Sequence, residues 1–250
     1  MKITLLALTA ALALSGCART ESDAAFGERV RGYLLEHPEV IQEVVERLNE
    51  KQQAQSAAKA KLAIQQNRQA IERDPRDFVA NPAGSITVVE FFDYKCGYCK
   101  IVAPEVLKLI EENPDVRFVF KELPIFGGVS DSAAKAMLSP QAKPQTLKLY
   151  GALMAEKALD EAALDRHLRA VGVDPTAARK SGDTAMVQQH VRDVKALAAA
   201  LGLEGTPAFI VGDTLIPSAD IAAVKAAIAV ASSAPATASP AAPMDSPKAG

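Results

Sequence analysis

The feature that most limits what this chain can fold into is a pair of thiols set where a strand hands over to a helix. Ile86-Thr87-Val88-Val89-Glu90-Phe91-Phe92 is a β-branched and aromatic run of the kind that forms a buried strand. Asp93-Tyr94-Lys95 leads into Cys96-Gly97-Tyr98-Cys99, after which Val102, Val106, Leu109 and Ile110 recur at helical spacing between Lys100 and Glu112. Pro104 inside that helix is expected to cost a hydrogen bond and kink it. At a helix start the unpaired N–H groups and the macrodipole favour negative charge, so thiols there titrate at roughly 3.5–7.5 instead of about 8.5. Thiol–disulfide exchange needs one thiolate to attack and a second thiol close by to displace the mixed disulfide. The spacing assigns the first task to Cys96 and the second to the more interior Cys99.

The other cysteine bears on the compartment. The chain has three, and Cys17 closes an N-terminal stretch with a basic Lys2, an apolar run from Ile3 to Leu14 and then small residues, which reads as a secretory signal over 1–17. Leu14-Ser15-Gly16-Cys17 resembles a bacterial lipoprotein signal, with Cys17 the lipidated residue. Ala18 after it favours the outer membrane of a Gram-negative cell, and the expected compartment is the periplasm, with attachment by acyl chains. An ordinary signal peptide with an incidental Cys remains open. Cys96 and Cys99 are left as one close pair, which does not suit a structural framework, since bridges closing long loops stabilise most.

Around this junction the 250 residues divide by pattern. From 18 to 80 helix formers dominate, with Val30, Tyr33 and Leu34, then Val40, Ile41, Val44, Val45 and Leu48 at helical spacing and a break at Pro38. This arm is expected to pair with copies of itself, or else to fold back as a lid. A catalytic domain is expected over 81–231. It has a second strand at Val116–Phe120 and a helical insertion at about 129–201. Strands at Pro207–Val211 and Thr214–Ile216 flank the turn signal Gly212-Asp213, and a helix over Ala219–Ala231 closes the domain. The Ala/Pro/Ser-rich segment 232–250 is expected to be disordered, having too few large apolar residues to offset ordering entropy.

Some chemistries are disfavoured. A net charge of -2 without basic runs gives no electrostatic reason for nucleic-acid binding. A zinc site normally takes four ligands; no second cysteine pair exists and His37, His167 and His190 are scattered, so no metal and no cofactor is expected.

The residues from Val89 to Lys100 resemble the active-site strand and helix of the DsbA family, and Gly205-Thr206-Pro207-Ala208-Phe209 resembles that family's loop with a cis proline. Tyr33-Leu34-Leu35-Glu36-His37-Pro38-Glu39-Val40 is similar to the arm of the ScsC-like branch. The resemblance implies an α/β, thioredoxin-like fold with a helical insertion, preceded by an α-helical N-terminal arm. It implies that Pro207 is cis and that the Thr206 backbone, with Gly97 and Tyr98, meets an extended substrate segment. Glu90, six residues before Cys96, would be a buried carboxylate that relays a proton to or from Cys99, with Lys121 either its charged partner or an exposed residue. A Glu90 facing solvent at the strand edge stays open. Implied partners are unfolded or misfolded exported proteins with cysteines, and a membrane redox partner of the DsbB or DsbD type. Family oxidants place a His where Tyr98 stands, and Tyr98 supplies no positive charge at neutral pH. With Thr206, this points toward isomerisation or reduction. Copper handling by the reduced thiols and a structural lipoprotein with a vestigial redox domain are the readings from other classes.

Overall fold

The computed structural model describes residues 23–233. The signal, Cys17 and the expected tail from residue 234 onward lie outside the described residues. The chain divides into two compact units, one through Ala54 and one from Gln55, and the division falls within the second helix.

In the first unit, α1 (Asp23–Glu36) ends where Pro38 forbids its continuation, and α2 (Glu39–Glu72) begins directly after. No α1 residue is buried, and Phe26, Tyr33, Ile41, Val44 and Leu48 are at least half exposed. These helices present apolar residues at the expected spacing without covering them.

The second unit is built on a five-stranded sheet in the order β1-β3-β2-β4-β5. Its strands are β1 (Phe78–Ala80), β2 (Ile86–Phe92), β3 (Val116–Glu122), β4 (Ala208–Val211) and β5 (Thr214–Ile216). The β2–β3 pair is parallel and the other pairs are antiparallel. A parallel pair needs a crossover, which α3 (Gly97–Glu112) supplies as one helix running through Pro104. Gly84, at the turn into β2, lies so close to β3 that an added Cβ would sit 2.5 Å from the Arg117 nitrogen, so glycine is needed there. Between β3 and β4 come α4 (Val129–Met137), a short 3-10 turn (Lys143–Gln145), α5 (Thr146–Ala155), α6 (Glu161–Ala170), α7 (Pro175–Gly182) and α8 (Ala185–Ala200). They form the expected helical insertion, and α9 (Ile221–Ser233) closes the fold.

Strand pleat sorts side chains into two cores. Val88, Phe92, Phe118, Phe120, Phe209 and Val211 face α3, the insertion and α9, together with Cys96 and Cys99. Val89, Phe91, Val119, Ala208 and Ile210 face the other way, onto Ile64, Ile71 and the apolar side of α8. Ile64 and Ile71 lie seven residues apart, two helical turns, so one face of α2 docks on the sheet. The last turns of the segment read as arm therefore belong to this second unit. Their Gln- and Lys-rich surroundings hide two buried isoleucines from a composition-based reading.

Candidate active site

Cys96 occupies the N-cap of α3 in an extended conformation, φ -68° and ψ 120°, with no side-chain cap on the helix end. Its N–H donates to the Asp93 carbonyl at 3.0 Å, and its own carbonyl accepts from Lys100 N at 3.1 Å. The chain thus turns sharply after β2 and enters the helix at the first sulfur. Both cysteines are free thiols here, and both are buried. Gly97 and Tyr98 between them are exposed.

The loop before β4 closes over the pair. The Thr206–Pro207 bond is cis, and the Cys96 Sγ–H donates to the Thr206 carbonyl at 3.1 Å across 110 residues of sequence. The Thr206 hydroxyl is buried without a hydrogen-bond partner and would favour a thiolate at Cys99. Against that, burial pushes the Cys99 thiol well above the usual cysteine range, and the neighbouring Glu90 and Cys96 charges push it the same way. Cys99 is a thiol that needs help to ionise.

Glu90 lies in the core beside it. It shares the strand face of Val88 and Phe92, and burial pushes its carboxyl up to about 8. The Tyr150 hydroxyl donates to both carboxylate oxygens at 3.1 Å, which partly offsets the rise. Tyr150 comes from α5 and is clamped edge-on by Phe92 and Phe120, with ring centroids 5.3 and 5.1 Å away. The expectation that Lys121 is the charged partner of Glu90 is corrected. Glu90 pairs with Phe120 in the β2–β3 register, so Lys121, the next residue, points to the opposite face. There its ammonium donates to Asp77 and to the Ala70 carbonyl.

Several participants lie outside what the motifs marked. Glu122 is buried, held well above the carboxylate range by burial, and accepts from the Tyr94 hydroxyl at 2.8 Å. Lys100 donates to the Leu153 and Glu156 carbonyls at the end of α5, so the residue after Cys99 fastens the redox helix to the insertion. Asp93 is buried, and its carboxylate collects donors from three segments. A buried Asp between a strand and a thiol motif was the available signal for the last of these. The histidines stay apart: His190 is buried with Nε2 3.0 Å from Asp77, and His167 lies 3.0 Å from Glu156. Among the described residues, no group of three or more His, Cys, Asp or Glu side chains is arranged to hold a metal ion.

A thiol at a helix start, a second thiol beneath it and, beside that second sulfur, a carboxyl raised to about 8 that can both take and return a proton can exchange disulfides and move the accompanying proton. Comparison with known proteins agrees. Residues 87–229 match the model of the DSBA-like thioredoxin domain, and residues 23–55 match that of the copper resistance protein ScsC N-terminal domain. The thiol:disulfide interchange protein DsbA of Bordetella pertussis is 30% identical over 145 residues, covering 54% of this chain and 67% of that protein. A crystal structure of a thioredoxin-like oxidoreductase from Silicibacter pomeroyi is similar at 37% identity and TM-score 0.64, over 68% of this chain and 99% of its own. A periplasmic thioredoxin-like protein from Salmonella enterica serovar Typhimurium is similar at 29% identity and TM-score 0.59, over 65% and 94%.

Proposed function

Because this chain belongs to the DSBA-like thioredoxin family and is a disulfide oxidoreductase, we propose that it exchanges disulfides with exported proteins through Cys96 and Cys99. In the reducing direction the Cys96 thiolate attacks a substrate disulfide, forms a mixed disulfide and releases one substrate thiolate. Cys99 then gives its proton to the Glu90 carboxylate and attacks Cys96 Sγ. The second substrate sulfur leaves as a thiolate, and the two electrons end on the substrate. Oxidation is the same path reversed, with Glu90 returning the proton to Cys99. The observation that carries this reading is Cys96 Sγ at the α3 N-cap, bonded to the Thr206 carbonyl, with Cys99 and Glu90 buried beside it.

The test is trapping. Cys99→Ala is expected to accumulate a mixed disulfide with a disulfide-bearing unfolded protein on non-reducing gels, while Cys96→Ala accumulates none. Trapping by Cys96→Ala instead would reverse the roles.

Tyr98 and Thr206 favour isomerisation or reduction over strong oxidation, because Tyr98 offers a Cys96 thiolate no cation. Recovery of activity from scrambled ribonuclease is expected. Rapid peptide oxidation without that rescue would make the protein a donor oxidase. The signal-like N-terminus, with Cys17 as its lipidation residue, supports an envelope location. The exposed apolar positions of α1 and early α2 support self-association through the arm.

A further inference from the structure

The exchange chemistry gives Lys100 no proton and no electron, yet its ammonium leaves the redox helix to meet the insertion. Nζ donates to the Leu153 carbonyl at 3.4 Å and to the Glu156 carbonyl. Both stand at the carbonyl end of α5, where a helix leaves acceptors unpaired and carries partial negative charge. The last turn of α5 has no basic residue of its own, so α3 supplies the cation. Burial holds the Lys100 ammonium below the usual lysine range, against the charges of Glu156 and Asp93, which act in the opposite sense. Glu156 is also held from the far side: its carboxylate accepts from Arg166 at 2.8 Å and lies 3.0 Å from His167 Nε2, both on α6.

The same helix carries the partner of Glu90. Tyr150 lies one turn before Leu153, and its hydroxyl donates to both Glu90 oxygens at 3.1 Å. At the next residue, Gly151, an added Cβ would sit 3.1 Å from Leu107 Cδ1, so α5 lies close against α3 there. Burial pushes the Glu90 carboxyl up and the Tyr150 hydroxyl draws it back, so losing that hydroxyl leaves Glu90 holding its proton to higher pH. The other titratable groups that feel the Glu90 charge are Cys99 on α3, Tyr94 in the turn before it and Glu122 on β3. From β4 its neighbour in the register is Phe209.

We propose that Lys100 is a positioning residue: by fastening the carbonyl end of α5 to the redox helix, it sets the Tyr150 hydroxyl on the Glu90 carboxylate. This deepens the exchange reading above and rests on it. Glu90 accepts the Cys99 proton only when it is ionised, and a displaced Tyr150 makes that form scarcer at neutral pH. The residue after the resolving thiol thereby tunes the acceptor of that thiol's proton through a second helix.

The test follows the resolving step of the full chain against pH, by quenched-flow trapping of the mixed disulfide. The wild-type inflection is expected at about 8. Lys100→Met should move it up by about one pH unit, as loss of a hydrogen bond to a charged group does, and slow the step about tenfold at neutral pH. Lys100→Arg, which keeps a cation able to reach the helix end, should restore both. Tyr150→Phe should reproduce the shift, and Lys100→Met added to Tyr150→Phe should move it no further, because both act through one contact. An unmoved inflection in a Lys100→Met protein that melts cooperatively overturns the proposal. So does a further shift in the Tyr150→Phe background, which would mean that Lys100 acts by its own charge. Should Lys100→Met not fold, Lys100→Gln, too short to reach both carbonyls, is read by the same two outcomes. Either result leaves the exchange reading standing, whereas a wild-type protein that forms no mixed disulfide removes that reading, and this one with it.

Discussion

Burial holds the proton on Glu90, and Glu90 in turn raises the proton affinity of Cys99, a dependence open to measurement. A carboxyl raised to about 8 still carries its proton where an unfolded chain has lost it. Between the ordinary carboxylate range and about 8 the unfolded state therefore binds fewer protons, and stability falls as pH rises through that window. Each tenfold change in proton affinity is worth about 1.4 kcal/mol, so the loss across the window is on the order of a few kcal/mol. Buried Glu122 works in the same direction. Urea melts of Glu90→Gln are expected to show a flatter decline between pH 5 and pH 8 than the wild-type protein, and equal slopes would contradict the assignment. The resolving step should likewise rise with pH through about 8, whereas Glu90→Gln should lose that inflection and about a hundredfold in rate by quenched-flow trapping. At this scale the sequence is readable where a motif is contiguous. The thiols, Glu90, Thr206 and Pro207 stand in two short segments. Tyr150, the hydrogen-bond partner of Glu90, sits 60 residues away in a helical stretch with no distinguishing pattern. Lys121 reads from sequence as a neighbour of Glu90 and belongs instead to Asp77, because proximity along paired strands does not reveal which face a side chain takes.

Among the elements, the join between α2 and the sheet is where polar burial is concentrated. Lys121 donates to Asp77 and Ala70, Arg117 donates to the Glu72 carbonyl at 2.8 Å, and His190 from α8 lies against Asp77. Removing one partner leaves a buried charge without its complement, which typically costs about 3–5 kcal/mol. Lys121→Met is accordingly expected to lower the unfolding free energy from urea melts by that amount. The exchange rate of the folded protein should hold, because this cluster lies on the face away from Cys99. Lost exchange in a still-folded Lys121→Met protein would mean that the two faces are coupled. Ile71→Ala, emptying a wholly buried site, should cost about 2–5 kcal/mol by the same assay. These contacts also explain what escapes a reading of the sequence. The strands β2 and β3, α3, the Gly212 turn and α9 announce themselves through apolar runs, helical spacing and turn residues. By contrast β1 has three residues, too few to display a period, and it is defined by its pairing with β3.

At the scale of the whole molecule, the two compact units pose different physical problems. The second has its own sheet and two apolar cores, so a chain beginning at Gln55 contains everything the exchange reading uses. The first unit's helices have no buried residue in α1 and a row of exposed apolar positions, and short helices are marginal in water without a packed face. A second copy would supply that face at no cost in new sequence, since one patch would serve both partners. Sedimentation of residues 23–250 is therefore expected to give a multimer, and residues 55–250 a monomer. If several Cys96 sites acting on one misfolded substrate are what isomerisation needs, the shorter chain should still reduce peptide disulfides at the full-length rate per site while losing most rescue of scrambled ribonuclease. A monomeric longer chain would remove the arm from the mechanism. A multimer whose rescue survives truncation would place isomerisation in the thioredoxin unit alone.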